Sequence, residues 1–191
     1  MRRGVWRHFQ NLKNRMIFGK YGRNVYFFPG VHVVRPRYVW IGDDVTIGRN
    51  VDIFVHPEDP DTKEGVICIG NRVHIGTNNI LGARKKIVLE ENVLLGPHVL
   101  IGDHSHQYED IDLPIKFQAA TEAGPVRIER DCWIGANVFI FPKVTIGRHT
   151  VIGANSIVNR DIPPYSVAVG TPARVIKRYD FELKQWVRTD G

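Results

Sequence analysis

Residues 128–153 read IERDCWIGANVFIFPKVTIGRHTVIG, and within them isoleucine returns at 128, 134, 140, 146 and 152. The same interval of six runs upstream through Ile41, Ile47 and Ile53, then Ile69, Ile75 and Leu81, then Leu89, Leu95 and Ile101. Glycine follows the aliphatic at 42, 48, 70, 76, 82, 96, 102, 135, 147 and 153, and a small or branched residue stands four places after it, as in IGDDVT, IGNRVH and IGANVF. A period of six fits neither the 3.6 of a helix nor the 2 of a simple strand. It suits a short extended run followed by a turn. The aliphatic points inward and glycine relieves the backbone near the corner. Valine and isoleucine favour strands, while the intervening Asp, Asn and Gly favour turns. Stacked coils of such units make a parallel β-helix, in which each coil buries its face against its neighbours.

Two segments leave this beat. One is FVHPEDPDTKEG, residues 54–65; the other runs from about 103 to 124 and contains the histidine- and acid-bearing part of VLIGDHSHQYED, residues 99–110. Long excursions from a compact repeat are usually functional or disordered. The second carries His104, His106, Tyr108, Glu109 and Asp110, so function is expected there. The chain from about 175 to 188 is expected to end in a short helix.

The 191 residues suffice for one domain with a proper core. The two cysteines, Cys68 and Cys132, lie far apart, which argues against a disulfide framework and fits a reducing, cytoplasmic setting. No apolar run is long enough to span a membrane and no signal-peptide core is evident. The net charge is +6, yet residues 1–23 alone carry seven basic residues and no acid, leaving the remainder at −1. Val5, Phe9, Leu12 and Met16 recur at helical spacing in this arm. The simpler expectation is a short amphipathic helix packed on the main domain. Peripheral contact with an anionic membrane is the sharper one. Nucleic-acid binding is not expected, because nothing else resembles a base-reading module. The expected organisation is a basic arm at 1–23, a β-helix at 24–178 and a tail at 179–191.

From about 24 to 178 the chain resembles the left-handed β-helix, hexapeptide-repeat acyltransferases. The segment CWIGANVFIFPKVTIGRHTVIGANSIVNRDIPPYSVAVGTPARVIKRY, 132–179, is similar to the branch containing maltose, galactoside and polysaccharide O-acetyltransferases. The resemblance implies an all-β, left-handed parallel β-helix working as a homotrimer, with acetyl-CoA as acyl donor. It implies a pantetheine groove by Trp133, Ala136 and Ala154, the Ala136 amide being a candidate oxyanion donor. Thr171, Pro172, Arg174, Lys177 and Arg178 resemble the segment that meets the adenine and phosphates. Lys143 replaces the family's usual glycine, with either the cofactor or solvent in reach.

Transfer of acetyl to a hydroxyl needs a base, an oxyanion donor and alignment of two substrates. Histidine suits the base role. His106, followed three residues later by Glu109, resembles the family's catalytic histidine; His104 is the second choice. Glu109 or Asp110 are candidates to orient the ring or bind the acceptor, with Tyr108 and Asn78 or Asn79 as further acceptor contacts. Cys132 is expected to be a small buried side chain rather than a nucleophile. The leading function is acetyl-CoA-dependent O-acetylation of a sugar or polysaccharide precursor. Amino-sugar N-acetylation and serine O-acetylation are alternatives within the class. A γ-type carbonic anhydrase, with zinc on His98, His104 and His106, is a different chemistry on the same fold; no metal is expected. A non-enzymatic scaffold is the last alternative.

Overall fold

The computed structural model describes residues 14–189. Apart from Asn14–Arg23, the basic arm lies outside the described residues, and the expected arm helix lies largely there with it. Among the described residues no helix is long and apolar enough to cross a membrane.

The six-residue beat folds as expected into a prism with three faces. The first face stacks Lys20–Tyr21, Val39–Ile41, Ile67–Ile69, Ile87–Leu89, Val126–Ile128 and Thr145–Ile146. The second stacks Tyr26–Phe27, Thr46–Ile47, His74–Ile75, Leu94–Leu95, Trp133–Ile134, Val151–Ile152 and Ser166–Gly170. The third stacks His32–Val34, Asp52–Val55, Ile80–Ala83, Leu100–Gly102, Phe139–Ile140 and Ile157–Val158. All these neighbours pair in parallel, and the chain visits the faces in turn, so the architecture is a left-handed parallel β-helix. The repeat aliphatics stack in register: Ile47, Ile75, Leu95, Ile134 and Ile152 form one column, all without solvent exposure. Burial of such a column is the main stabilising term, at about 25 cal/mol per Å² of apolar area.

Each coil turns three corners. At the first, Asp44, Arg72, Asn92 and Asp131 take positive φ; at the second, Asn50, Asn78, His98, Asn137 and Asn155 do. Most of these are Asp or Asn, which tolerate that conformation best, and the corner side chains bond from coil to coil. Thus Asn92 donates to Asp131 at 2.7 Å and Asn137 to Asn155 at 3.1 Å. Coils approach closely here: a Cβ on Gly135 would lie 2.6 Å from the Ala154 nitrogen, so only glycine fits.

The third corner is where the chain departs. Residues 56–66, 84–86 and 103–125 fill it in successive coils, joined through Ile87 N to the Val66 carbonyl at 2.8 Å and Val126 N to the Lys86 carbonyl at 3.0 Å. The protruding loop has a short stem, with His106 bridging Ala120, and a 3-10 turn at Ile115–Phe117.

The expected C-terminal helix is not formed. Ala173–Asp180 and Gln185–Arg188 make an antiparallel hairpin on Ser166–Gly170. Exposure alternates with a period of two along Arg174–Lys177, and the open edge of the last coil offers backbone partners that a helix would leave unpaired. The strand crosses the boundary drawn at 178.

Candidate active site

Asp103 ends the strand Leu100–Gly102 and turns into the third corner, where its side chain is fully buried. The coil below offers three consecutive amides there. Arg84 N lies 2.9 and 3.0 Å from the two carboxylate oxygens, Lys85 N donates at 2.7 Å and Lys86 N at 2.8 Å. The carboxylate is therefore satisfied without a cation, by the corner it stacks upon. Its Oδ1 also lies 2.9 Å from Nδ1 of His104, whose side chain is 28% exposed. A carboxylate at Nδ1 places the neutral ring's proton there and leaves the Nε2 lone pair free. An anchored imidazole with one free nitrogen is the arrangement a general base requires.

His106 sits two residues up the loop stem, exposed, with only its backbone bridging Ala120. Of the two expected histidines, then, the fold orients His104 and leaves the His106 ring in solvent. Nor do the acids orient either ring. Glu109 accepts from the Tyr108 amide at 2.9 Å, and Asp110 accepts from the amides of Asp112 and Leu113 at 2.9 and 3.2 Å, shaping the loop. Tyr108 is 68% exposed on the same loop.

Ala136, Ala154 and Thr171 form a row up the second corner. Asn155 N donates to the Ala136 carbonyl at 2.9 Å, and the Thr171 hydroxyl donates to the Asn155 carbonyl at 3.2 Å. Pro172, joined to Thr171 by a cis peptide, completes the hairpin turn there. Arg174, Lys177 and Arg178 follow on the strand Ala173–Asp180, with Arg174 donating to the Ala173 carbonyl at 3.0 Å. Trp133 faces outward on the second face, 52% exposed, between Leu94 and Val151. In one chain this row and His104 stand on different corners of the prism.

Asn78 belongs to the second-corner ladder, accepting from Asn50 at 3.2 Å. Asn79 is fully buried: its Oδ1 accepts from Val99 N and its Nδ2 donates to the Gly96 carbonyl at 3.0 Å, so it pins two coils and is closed to an acceptor. Lys143 packs on Gly124 and reaches Glu122 at 3.7 Å at the base of the protruding loop, on the third corner. Burial pushes the Cys132 thiol up to about 12, and it donates to the Gly147 carbonyl at 3.1 Å, which makes Cys132 a poor nucleophile. His98 stands on the second corner, away from His104 and His106. Among the described residues no cluster of three or more His, Cys, Asp or Glu could hold a metal.

Asp103, which anchors the His104 ring, is the candidate site residue that sequence reasoning passed over. It stands directly before His104, but in the slot where Asp43 follows Ile41-Gly42, and so reads as an ordinary turn residue.

Residues 125–160 match the family model described as Bacterial transferase hexapeptide (six repeats). The chain is 30% identical to the hexapeptide-repeat containing acetyltransferase VCA0836 of Vibrio cholerae, covering 87% of this chain and 77% of that one with a TM-score of 0.56. It is 35% identical to "Probable acetyltransferase Rv3034c" of Mycobacterium tuberculosis over 76% of this chain, and 35% identical to the galactoside O-acetyltransferase of Escherichia coli over 63%. It spans 52% of the mycobacterial relative and 61% of the galactoside enzyme. A mutant of AntD, an N-acyltransferase from Bacillus cereus crystallised with dTDP and coenzyme A, shares the fold at a TM-score of 0.76 over 91% of both chains, with 21% identity. The chain belongs to the hexapeptide-repeat acyltransferases, an enzyme family.

Proposed function

We propose that this chain transfers acetyl from acetyl-CoA to a sugar hydroxyl, directly and without an acyl-enzyme, with His104 as general base. The observation that carries the reading is the His104–Asp103 pair at the foot of the protruding loop. A hydroxyl is barely acidic at neutral pH, so its attack on a thioester requires proton removal. The free Nε2 of His104 takes that proton, and Asp103 stabilises the imidazolium that forms. Loss of coenzyme A as the thiol then completes the exchange: a C–O bond forms, the C–S bond breaks, and the imidazolium returns its proton to the leaving sulfur.

The donor lies along Ala136, Ala154 and Thr171, with Arg174, Lys177 and Arg178 supplying cations for its phosphates. Because that row and His104 occupy different corners, a complete site needs two copies of the chain, and we assign the working form as a homotrimer. Galactoside O-acetylation by a relative supports a sugar acceptor. An amine acceptor would be nucleophilic when neutral and would need the base less, so the anchored base favours oxygen.

Thiol release from acetyl-CoA across free sugars, amino sugars, sugar nucleotides and serine tests the reading, with His104→Ala and His106→Ala alongside. Release with a hydroxyl acceptor, abolished only in His104→Ala, supports it. Full turnover in His104→Ala would sink the base assignment, and preference for an amine would move the activity to N-acetylation.

A further inference from the structure

Along the third corner below His104 lie two cavities that the transfer chemistry leaves unused. The nearer, of about 160 Å³, sits between residues 57–66 and the 84–86 turn, and its cations Arg84, Lys85 and Lys86 are offset by Glu58, Asp59 and Glu64. Thr62 lines both. The farther, of about 340 Å³, is walled by Lys20, Arg37, Lys63 and Trp40, and Asp61 is its single acid among the described residues.

This farther cavity is built, not incidental. The Lys20 ammonium is held 3.5 Å from the centre of the Trp40 ring, a cation–π contact that fixes it in the wall. Trp40 is seated on Gly65, where a Cβ would lie 2.6 Å from the indole Cγ. Arg37 donates to the Pro60 carbonyl at 3.3 Å, tying the corner to the excursion. None of Lys20, Arg37 and Lys63 takes part in an ion pair among the described residues. A concave site with unbalanced positive charge attracts an anion. An arginine and two lysines suit the several oxygens of a phosphate group.

Its height matters too. The Val66 amide donates to the Tyr38 carbonyl, the Ile87 amide to Val66 and the Val126 amide to Lys86, so three coil steps separate Arg37 from the coil of Asp103. At about 4.8 Å per step that is about 14 Å, comparable to a hexose carrying a diphosphate. We propose that the Lys20–Arg37–Lys63 cavity binds the diphosphate of an activated acceptor, placing the attached sugar at His104. This rests on the acetyl-transfer reading and names the class of its acceptor: a sugar diphosphate joined to a nucleoside or a lipid, rather than a free sugar.

Calorimetric titration of the full chain tests it, with coenzyme A held at saturation so that the donor's own phosphate site is filled. The probes are inorganic pyrophosphate, thymidine diphosphate and farnesyl diphosphate. Saturable pyrophosphate binding that weakens tenfold or more in Lys20→Gln/Lys63→Gln, with the melting temperature unchanged, supports the site. Tighter thymidine diphosphate supports a nucleotide-linked acceptor, and tighter farnesyl diphosphate a lipid-linked one. Absence of saturable binding by all three probes, or binding indifferent to the double substitution, overturns the proposal. Failure of the transfer reading shows differently: no thiol is released with any acceptor while pyrophosphate still binds, which overturns the acceptor role and upholds the anion site.

Discussion

Asp43 and Asp103 both follow the dipeptide Ile-Gly, yet they meet different fates. Asp43 pairs with the exposed Arg23 guanidinium at 2.7 Å, whose hydrogen bond holds its carboxyl below the usual carboxylate range. Asp103 is buried on three amides and holds an imidazole. At the residue scale, His104→Ala is therefore expected to cut kcat by about 10²–10⁴, the usual worth of one acid–base group, while the dissociation constant of coenzyme A stays put. Asp103→Asn is expected to damage both function and fold. Its amide must turn an N–H toward at least one backbone donor, at a cost of about 1–3 kcal/mol seen in urea unfolding, and the ring loses its anchor. A kcat loss with unaltered unfolding midpoint would contradict that pairing of effects. Cys132, with its thiol pushed up to about 12, should resist iodoacetamide at pH 8 in the folded chain and react only in denaturant. Rapid alkylation under native conditions would place it nearer the surface than described.

At the scale of elements, the coils hold through columns of buried aliphatics and through the corner ladders. Ile134 stands mid-column between Leu95 and Ile152 with no exposure. Ile134→Ala should destabilise by about 2–5 kcal/mol in chemical denaturation, because stacked coils relax little into a cavity. The hairpin Ala173–Asp180 and Gln185–Arg188 covers the edge strand Ser166–Gly170. The tail misleads as sequence because its apolar residues can be fitted to helical or alternating spacing. Only the unpaired edge of the last coil selects the strand. The hexapeptide beat had no such rival: period six, glycine at the corner and a branched residue four places on leave one architecture.

At the scale of the whole molecule, the proposed donor row and the proposed base occupy different corners, and the proposed function therefore requires a site completed by a second copy. Co-refolding His104→Ala chains with Arg174→Gln chains should restore thiol release above either protein alone, because some interfaces then combine an intact base with an intact donor row. Sedimentation should give the mass of three chains. A monomer with full turnover would refute the shared site.

The order of the coils, their inward columns and the place of the protruding loop were all readable from residues alone, since each depends on local spacing that repeats along the chain. The family resemblance brought acetyl-CoA with it and pointed to the loop histidines, with His106 ahead of His104. Which histidine is anchored was decided only in three dimensions. Asp103 binds amides at 84–86, 17 to 19 residues earlier, because stacking places one turn of chain directly above another. No pattern within the loop announces that partner, and a sequence spaced by one coil brings together residues that share no local signal.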